Sequence, residues 1–224
     1  DMSAAHRGLS LFIVPKPRGE GHGFEFTQEP VDVDGTPRVG KMAGRAIDTI
    51  GYRGMHSYEI ALEEWWVPAD HLIGEVNQGW GLAKVTLGNE RVSLSSGGAL
   101  WGLGPDAGDL LDIVREAGGV DDPHLRQRLA QMWIEAEVLR LIRLRTVTAA
   151  IKGEPPGPEA SIRKVLADEH GQNVMSIAKD LAGTAGLLAH AGPCGSPNPT
   201  WAFGYLFSRA LTIGGGTGEV QRNI

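Results

Sequence analysis

Cysteine is almost missing from this chain: Cys194 stands alone among 224 residues. A lone thiol cannot close an internal disulfide, so packing must supply the stability, as in proteins of a reducing compartment. Cys194 lies in His-Ala-Gly-Pro-Cys-Gly-Ser with no base assigned to it, and an incidental loop thiol is the favoured reading over a nucleophile. Basic residues are also few, 21 Lys and Arg against 27 Asp and Glu, giving a formal charge of −6. That balance excludes a general nucleic-acid binder, which needs clustered cations to displace counterions. The acidity is scattered, so it serves solubility more than a partner. No apolar run approaches the ~20 residues of a membrane-spanning helix. The seven histidines never fall in H-x-x-x-H or H-E-x-x-H spacing, which predicts no metal site. Internal repeats and low-complexity tracts are absent.

What is present suits a soluble globular protein, with 42% hydrophobic and 21% charged residues and room for one core or two modest domains. The first seventy or so residues read as β structure. Gly8 to Val14 is strand-like, and Phe24-Glu25-Phe26-Thr27 and Tyr58-Glu59-Ile60-Ala61-Leu62 alternate, placing apolar side chains on one sheet face. Too few strands are present to close a sheet, so one apolar face is expected to stay bare. Val67-Pro68-Ala69-Asp70 ends this region. From Asn77 the period becomes helical. Asn77 is expected to cap a helix through Leu82, Val85 and Val92, broken near Gly97-Gly98 and Gly102 to Pro105. Asp122-Pro123 is a strong helix start, followed by a stripe of Leu125, Leu129, Met132, Ala136 and Leu139 that Lys152-Gly153 ends. A further helix is expected from about Pro158 to Leu188, with Ile162, Val165, Leu166, Ile177 and Leu181 facing inward. A shorter one spans Trp201 to Leu211. The fold class is therefore α+β: part of an antiparallel β domain over residues 1–76, then an up-and-down helical bundle over 77–224.

Chemistry concentrates in two segments. Asn89-Glu90-Arg91 lies inside an apolar helix, where Glu90 is within helical reach of Leu82, Thr86, Leu87 and Leu94. A carboxylate in such company gains the proton affinity of a general base; the alternative is a salt bridge to Lys84, Arg91 or another helix. The second segment is Gly214-Gly215-Gly216-Thr217-Gly218-Glu219-Val220-Gln221-Arg222. Its glycines permit positive φ and close ligand approach, and a helix follows; a plain helix-to-helix turn is the alternative. Gly102-Leu103-Gly104-Pro105-Asp106-Ala107 mimics a dinucleotide fingerprint but lacks the preceding strand, so a helix break is the better account.

These segments resemble those of the acyl-CoA dehydrogenases. The glycine turn is similar to that family's Tyr-Glu-Gly-Thr-Ser-Glu-Ile-Gln-Arg. His6 to Val14 resembles a late strand of its middle β domain, Glu63 to Glu75 the exit from that domain, and Asn77-Gln78-Gly79-Trp80-Gly81 the entry to its carboxyl-terminal bundle. The resemblance implies FAD as cofactor, contacted by Thr217 and Glu219, with Asp180 and Gly183 toward its adenine end. It implies an acyl-CoA substrate near Arg91, Gly215 and Gly216, and Glu90 as the α-proton base, as in the isovaleryl and long-chain branch. It also implies electron-transferring flavoprotein as acceptor, a homotetramer or a heteromer, and a cytoplasmic or mitochondrial-matrix location. Three positions depart from the family pattern. Gly215 replaces the usual catalytic glutamate. Arg115-Glu116-Ala117-Gly118-Gly119 stands where Arg-x-x-Phe-Gly clamps the flavin pyrophosphate, with Arg126 or Arg128 as substitutes. Asp180 replaces a glutamine. A non-catalytic partner subunit is the rival reading. Neither Asp1 nor Ile224 reads as a natural terminus, and the family's amino-terminal helical domain is expected to be missing from this chain.

Overall fold

The computed structural model describes residues 2–18, 21–52, 57–94, 100, 102, 104–154, 157–188 and 199–223. They divide into two compact units, residues 1–49 with 53–87 and residues 50–52 with 88–224.

The first unit is built on a three-stranded antiparallel sheet of β2 (Gly23–Thr27), β5 (Lys41–Ala46) and β6 (Tyr58–Glu63), with β5 in the centre. The register sets Phe24 beside Gly44 and Ile60, and Phe26 beside Met42 and Leu62, so the period-2 alternation collects the apolar side chains on one face. Phe24 and Phe26 stack at 5.4 Å. A Cβ on Gly44 would lie 2.0 Å from the Phe24 ring, so no larger residue fits beneath that pair. Ile60 and Leu62 on edge strand β6 are each 54% exposed, whereas Met42 between Phe26 and Leu62 is 3% exposed, so the apolar face expected to stay bare is open only along its β6 edge. Between β2 and β5, β3 (Val31–Val33) and β4 (Thr36–Arg38) form a hairpin. Its Asp34-Gly35 turn has both φ angles positive, 53° and 79°, as a tight Asp-Gly hairpin requires.

Beyond β6 the chain leaves the sheet, and a side chain takes over the pairing. Gln28 donates through Nε2 to the Trp66 carbonyl at 2.7 Å and accepts the Trp66 N–H on Oε1 at 3.0 Å. The strand expected from Gly8 to Val14 shrinks to β1 (Leu11–Phe12), because its partner β7 (Leu72–Ile73) offers only two residues after a 3-10 turn at Ala69–His71. Asn77 does not cap α1 (Gly79–Leu94). It sits ahead of the helix at φ 66°, with its N–H donating to Ser10 Oγ at 2.8 Å, while the Gly79 N–H reaches the Leu9 carbonyl.

The second unit is the helical bundle. α2 (Ala107–Glu116) starts on a reciprocal cap: the Asp106 side chain accepts from Gly108 and Asp109 N–H groups, and Asp109 answers to the Asp106 N–H. Gly102 and Gly104, both at positive φ, precede it, and among the described residues no βαβ unit surrounds the dinucleotide-like segment. Gly97-Gly98 and Cys194 lie outside the described residues. α3 (Pro123–Ile151) is capped by Asp122, which accepts from the His124 N–H, and stops at Lys152 with Gly153 at φ 76°. Leu129 and Met132 of its expected stripe are buried, flanked by the half-buried Leu125, Ala136 and Leu139. They pack with Leu110, Val174, Met175, Ile177, Trp201 and Leu211 into one core. α4 (Glu159–Leu181) and a 3-10 turn at Gly183–Leu187 replace the single long helix expected there. α5 (Pro199–Phe207), a 3-10 turn at Ser208–Ala210 and α6 (Gly218–Arg222) complete the unit.

The inner face of α4 differs from the expected apolar stripe. Ile162 is 57% exposed, whereas Arg163, Lys164 and Asp168 are buried. Among the described residues no helix is long and apolar enough to cross a membrane.

Candidate functional site

The glycine-rich turn is shaped by its own backbone and held from beneath by α4. Gly215 and Gly216 have φ of 69° and 99°, a region that strains any L side chain. At Gly216 space is short as well: a Cβ would meet Gln221 Nε2 at 2.8 Å. The carbonyls that this backbone turns inward are all claimed. Gln221 Nε2 donates to Gly215 O at 2.7 Å, and Lys164 Nζ donates to Gly216 O at 2.7 Å and to Leu211 O at 3.1 Å. Lys164 also pairs with Asp168 Oδ2 at 2.5 Å, and both side chains are buried. One turn further along α4, Gln172 Nε2 donates to Ser208 O at 3.0 Å and Thr212 Oγ1 at 3.2 Å. Burial is the main influence on Asp168 and pushes its pKa up to about 6 against the opposing pull of Lys164.

Thr217 takes the N-cap position of α6, but its side chain does not cap the helix. Its hydroxyl bonds the exposed Glu219 carboxylate, which its own backbone N–H holds below the usual carboxylate range, with Thr217 adding to the effect. Gln221 is 4% exposed, and its Oε1 is a dry acceptor with no hydrogen-bond partner among the described residues. The turn therefore presents a half-buried hydroxyl and an exposed carboxylate beside a backbone bare of side chains at Gly215 and Gly216, while the unsatisfied Gln221 amide oxygen is buried.

The other expected site residues lie elsewhere. Asp180 closes α4 in an ion pair with Arg128 of α3 at 2.6 Å, and Gly183 follows at φ 55°. Arg115 is likewise spoken for by Asp112, whereas Arg126 makes no ion pair among the described residues. Glu90 lies on α1 with Arg91 after it, and the Arg91 side chain is outside the described part. Glu90 is exposed, as are Val85 and Leu87, so the apolar surroundings expected for it are not formed by this chain's described residues. No ion pair reaches Glu90 among them.

Sequence reasoning missed Lys164, Asp168 and Gln172. The available signal was their spacing, two successive steps of four along one edge of a helix whose other edge is apolar. It also missed a cleft of about 290 Å³ between the start of α2, α3 and α4, lined in part by Arg140, Arg143, Arg163 and His170; no residue of the glycine turn lines it. Arg163 there is held below its usual range by burial and by Arg143, and its Nε has no hydrogen-bond partner among the described residues. His170 Nδ1 faces Glu135 Oε2 at 3.1 Å. Among the described residues no three His, Cys, Asp or Glu side chains gather as a metal site would require.

Comparison with known proteins places these features in a family context. Residues 77–224 match the acyl-CoA dehydrogenase C-terminal domain. Acyl-CoA dehydrogenase IpdE1 of Mycolicibacterium smegmatis is 32% identical over 166 residues, covering 74% of this chain and 40% of that protein. Acyl-CoA dehydrogenase FadE26 of Mycobacterium tuberculosis is 29% identical over 225 residues, covering 98% of this chain and 50% of its own length. The chain thus spans half or less of these two relatives. Among solved structures, the ChsE4-ChsE5 complex from Mycobacterium tuberculosis superposes with a TM-score of 0.68 at 26% identity, over 97% of this chain and 51% of that one.

Proposed function

The chain belongs to the acyl-CoA dehydrogenase family, and from that premise we propose that the protein carrying it dehydrogenates an acyl-CoA thioester between its α and β carbons, with FAD as cofactor. The glycine turn is the observation that supports this reading. Its left-handed Gly215 and Gly216 leave the main chain bare of side chains beside the half-buried Thr217 hydroxyl and the exposed Glu219 carboxylate. Those polar groups suit the polar rim of a flavin. Thr217 and Glu219 would hold that rim, Gly215, Gly216 and Arg91 would face the thioester, and Asp180 with Gly183 would face the adenine end. Because Asp180 already engages Arg128, Arg126 is the better candidate for the pyrophosphate.

Bound FAD supplies the two-electron acceptor for the hydride that leaves the β carbon. The chain's own part is the proton. The Glu90 carboxylate takes the α hydrogen as a proton and becomes the neutral acid, worth about 10²–10⁴-fold as a general base. Negative charge then grows on the thioester oxygen, where fixed N–H donors lower the barrier most. Electron-transferring flavoprotein would reoxidise the cofactor, and the assembly would be a homotetramer.

Gly215, at the place of the usual family glutamate, favours a second reading, a non-catalytic partner in a heteromer; the two-component ChsE4-ChsE5 complex is compatible with it. Flavin absorbance of the purified natural full-length protein, followed by anaerobic titration with a panel of acyl-CoAs, separates the two. Bleaching near 450 nm by one class of thioester is expected. A flavin-loaded protein that no thioester bleaches defeats the catalytic reading.

A further inference from the structure

Lys164 is 1% exposed, and its ammonium has three N–H groups, all of them spent. One goes to Asp168 on the next turn of α4. The other two go to main-chain carbonyls far off in sequence: Leu211 O, 47 positions away, and Gly216 O, 52 positions away. Those carbonyls bracket the glycine turn, so a single cation spans it from entry to exit. The groups around that cation are accounted for: Glu169, next to Asp168, is turned outward to Arg222 at 3.3 Å, and Gln221 holds the intervening Gly215 carbonyl. For stability alone, an apolar pair of similar volume serves as well as a buried ion pair. An apolar pair cannot fix the direction of two carbonyls.

We propose that Lys164 is a positioning residue for dehydrogenation: by fixing the Leu211 and Gly216 carbonyls it holds Gly215, Gly216 and Thr217 where flavin and thioester meet. The inference rests on the flavin-and-thioester reading of the turn. Asp168 serves it by neutralising the ammonium in a site that water does not reach.

The test uses the natural full-length protein and separates holding from folding. Lys164→Met leaves Asp168 buried and uncompensated, so the informative variant is the double replacement Lys164→Met/Asp168→Leu, which keeps volume and removes both charges. Thermal midpoints, amide hydrogen exchange, and kcat and KM are measured for parent and variant. The expected result is a double variant that melts close to the parent, exchanges about 10-fold faster across residues 211–222 but not across 125–140, and loses about 10²-fold in kcat, the scale of a misplacement near 1 Å. Unchanged exchange across 211–222 in the folded double variant overturns the proposal, whether or not the protein is active. Faster exchange with parental kcat and KM also overturns it, leaving Lys164 a structural residue. A parent that no acyl-CoA bleaches sinks the functional reading itself, and the exchange data still decide whether Lys164 holds the turn.

Discussion

Replacing Gly216 with alanine tests whether the glycine turn is closed by steric necessity or by backbone preference alone. At φ 99° an L residue is strained by about 1–2 kcal/mol. The added Cβ would also sit 2.8 Å from Gln221 Nε2 and 3.2 Å from Val220 Cγ1. Gln221 must retreat, giving up its 2.7 Å bond to Gly215 O while its amide remains buried. An unmade hydrogen bond in such a place costs about 1–3 kcal/mol. The sum is about 2–5 kcal/mol. Gly153 provides the internal control: its φ is 76°, and none of the described residues lies within 4 Å of a Cβ added there. Gly153→Ala carries the conformational cost alone, about 1–2 kcal/mol. With a urea slope of about 2 kcal/mol per molar, the midpoint followed by far-ultraviolet dichroism should fall by ~0.5–1 M for Gly153→Ala and ~1–2.5 M for Gly216→Ala. Equal shifts for the two variants would show that Gln221 does not brace the turn, and the steric part of the reasoning would be wrong.

Glu90→Gln should leave flavin bound and cut the rate of flavin reduction by at least ~10², and adding Gly215→Glu should restore part of it; stopped-flow reduction by the best acyl-CoA decides, with parental rates in the single variant excluding Glu90 as base. Asp122→Ala removes the acceptor for the His124 N–H at the start of α3 and should cost about 1 kcal/mol in urea unfolding; no change would mean the proline beside it suffices. Asp168 has a folded pKa near 6 against 3.8 for the free side chain, chiefly through burial. The folded state therefore holds its proton more tightly, and this group's contribution to stability is full below about pH 4 and lost as pH rises through 6. Asp168→Asn should gain on the parent progressively between pH 4 and 6 and run parallel to it above; a pH-independent difference in urea midpoint would refute the shift.

Much of the architecture was legible because local signals and tertiary packing agree. Asp122-Pro123 begins α3 and Lys152-Gly153 ends it, since a cap, a proline in the first turn and a left-handed glycine each act within a few residues. The glycine turn was legible for the same reason, as Gly215 and Gly216 bear the φ values that their residue type permits. Where reading failed, the cause lay at a distance. Apolar periodicity put Ile162 inside α4, but Lys164 goes inside because its acceptors, the Leu211 and Gly216 carbonyls, come from the far end of the chain, and Asp168 goes with it as its counter-ion. Asn77 has the chemistry of a helix cap, yet the Ser10 hydroxyl takes its N–H and leaves it in a left-handed bend before the helix. The apolar run from Leu9 to Val14 looks like a strand, but its pairing is limited by how little of the Leu72–Ile73 segment is extended.

The grip of α4 on the segment from Ser208 to Gly216 has a consequence for how this sequence can change over time. Lys164, Asp168 and Gln172 lie on one edge of the helix, each one turn from the next. Inserting or deleting one residue between them would rotate everything beyond it by about 100°, carrying Gln172 away from Ser208 while Lys164 stayed on Gly216. Point substitutions in 164–172 can be absorbed one at a time, but a change of length cannot, because two distant carbonyl contacts would then demand two different registers of one rigid rod. Variation in length is thus steered to the glycine-bearing ends of the helices, and the stretch under the turn behaves as a fixed-length gauge.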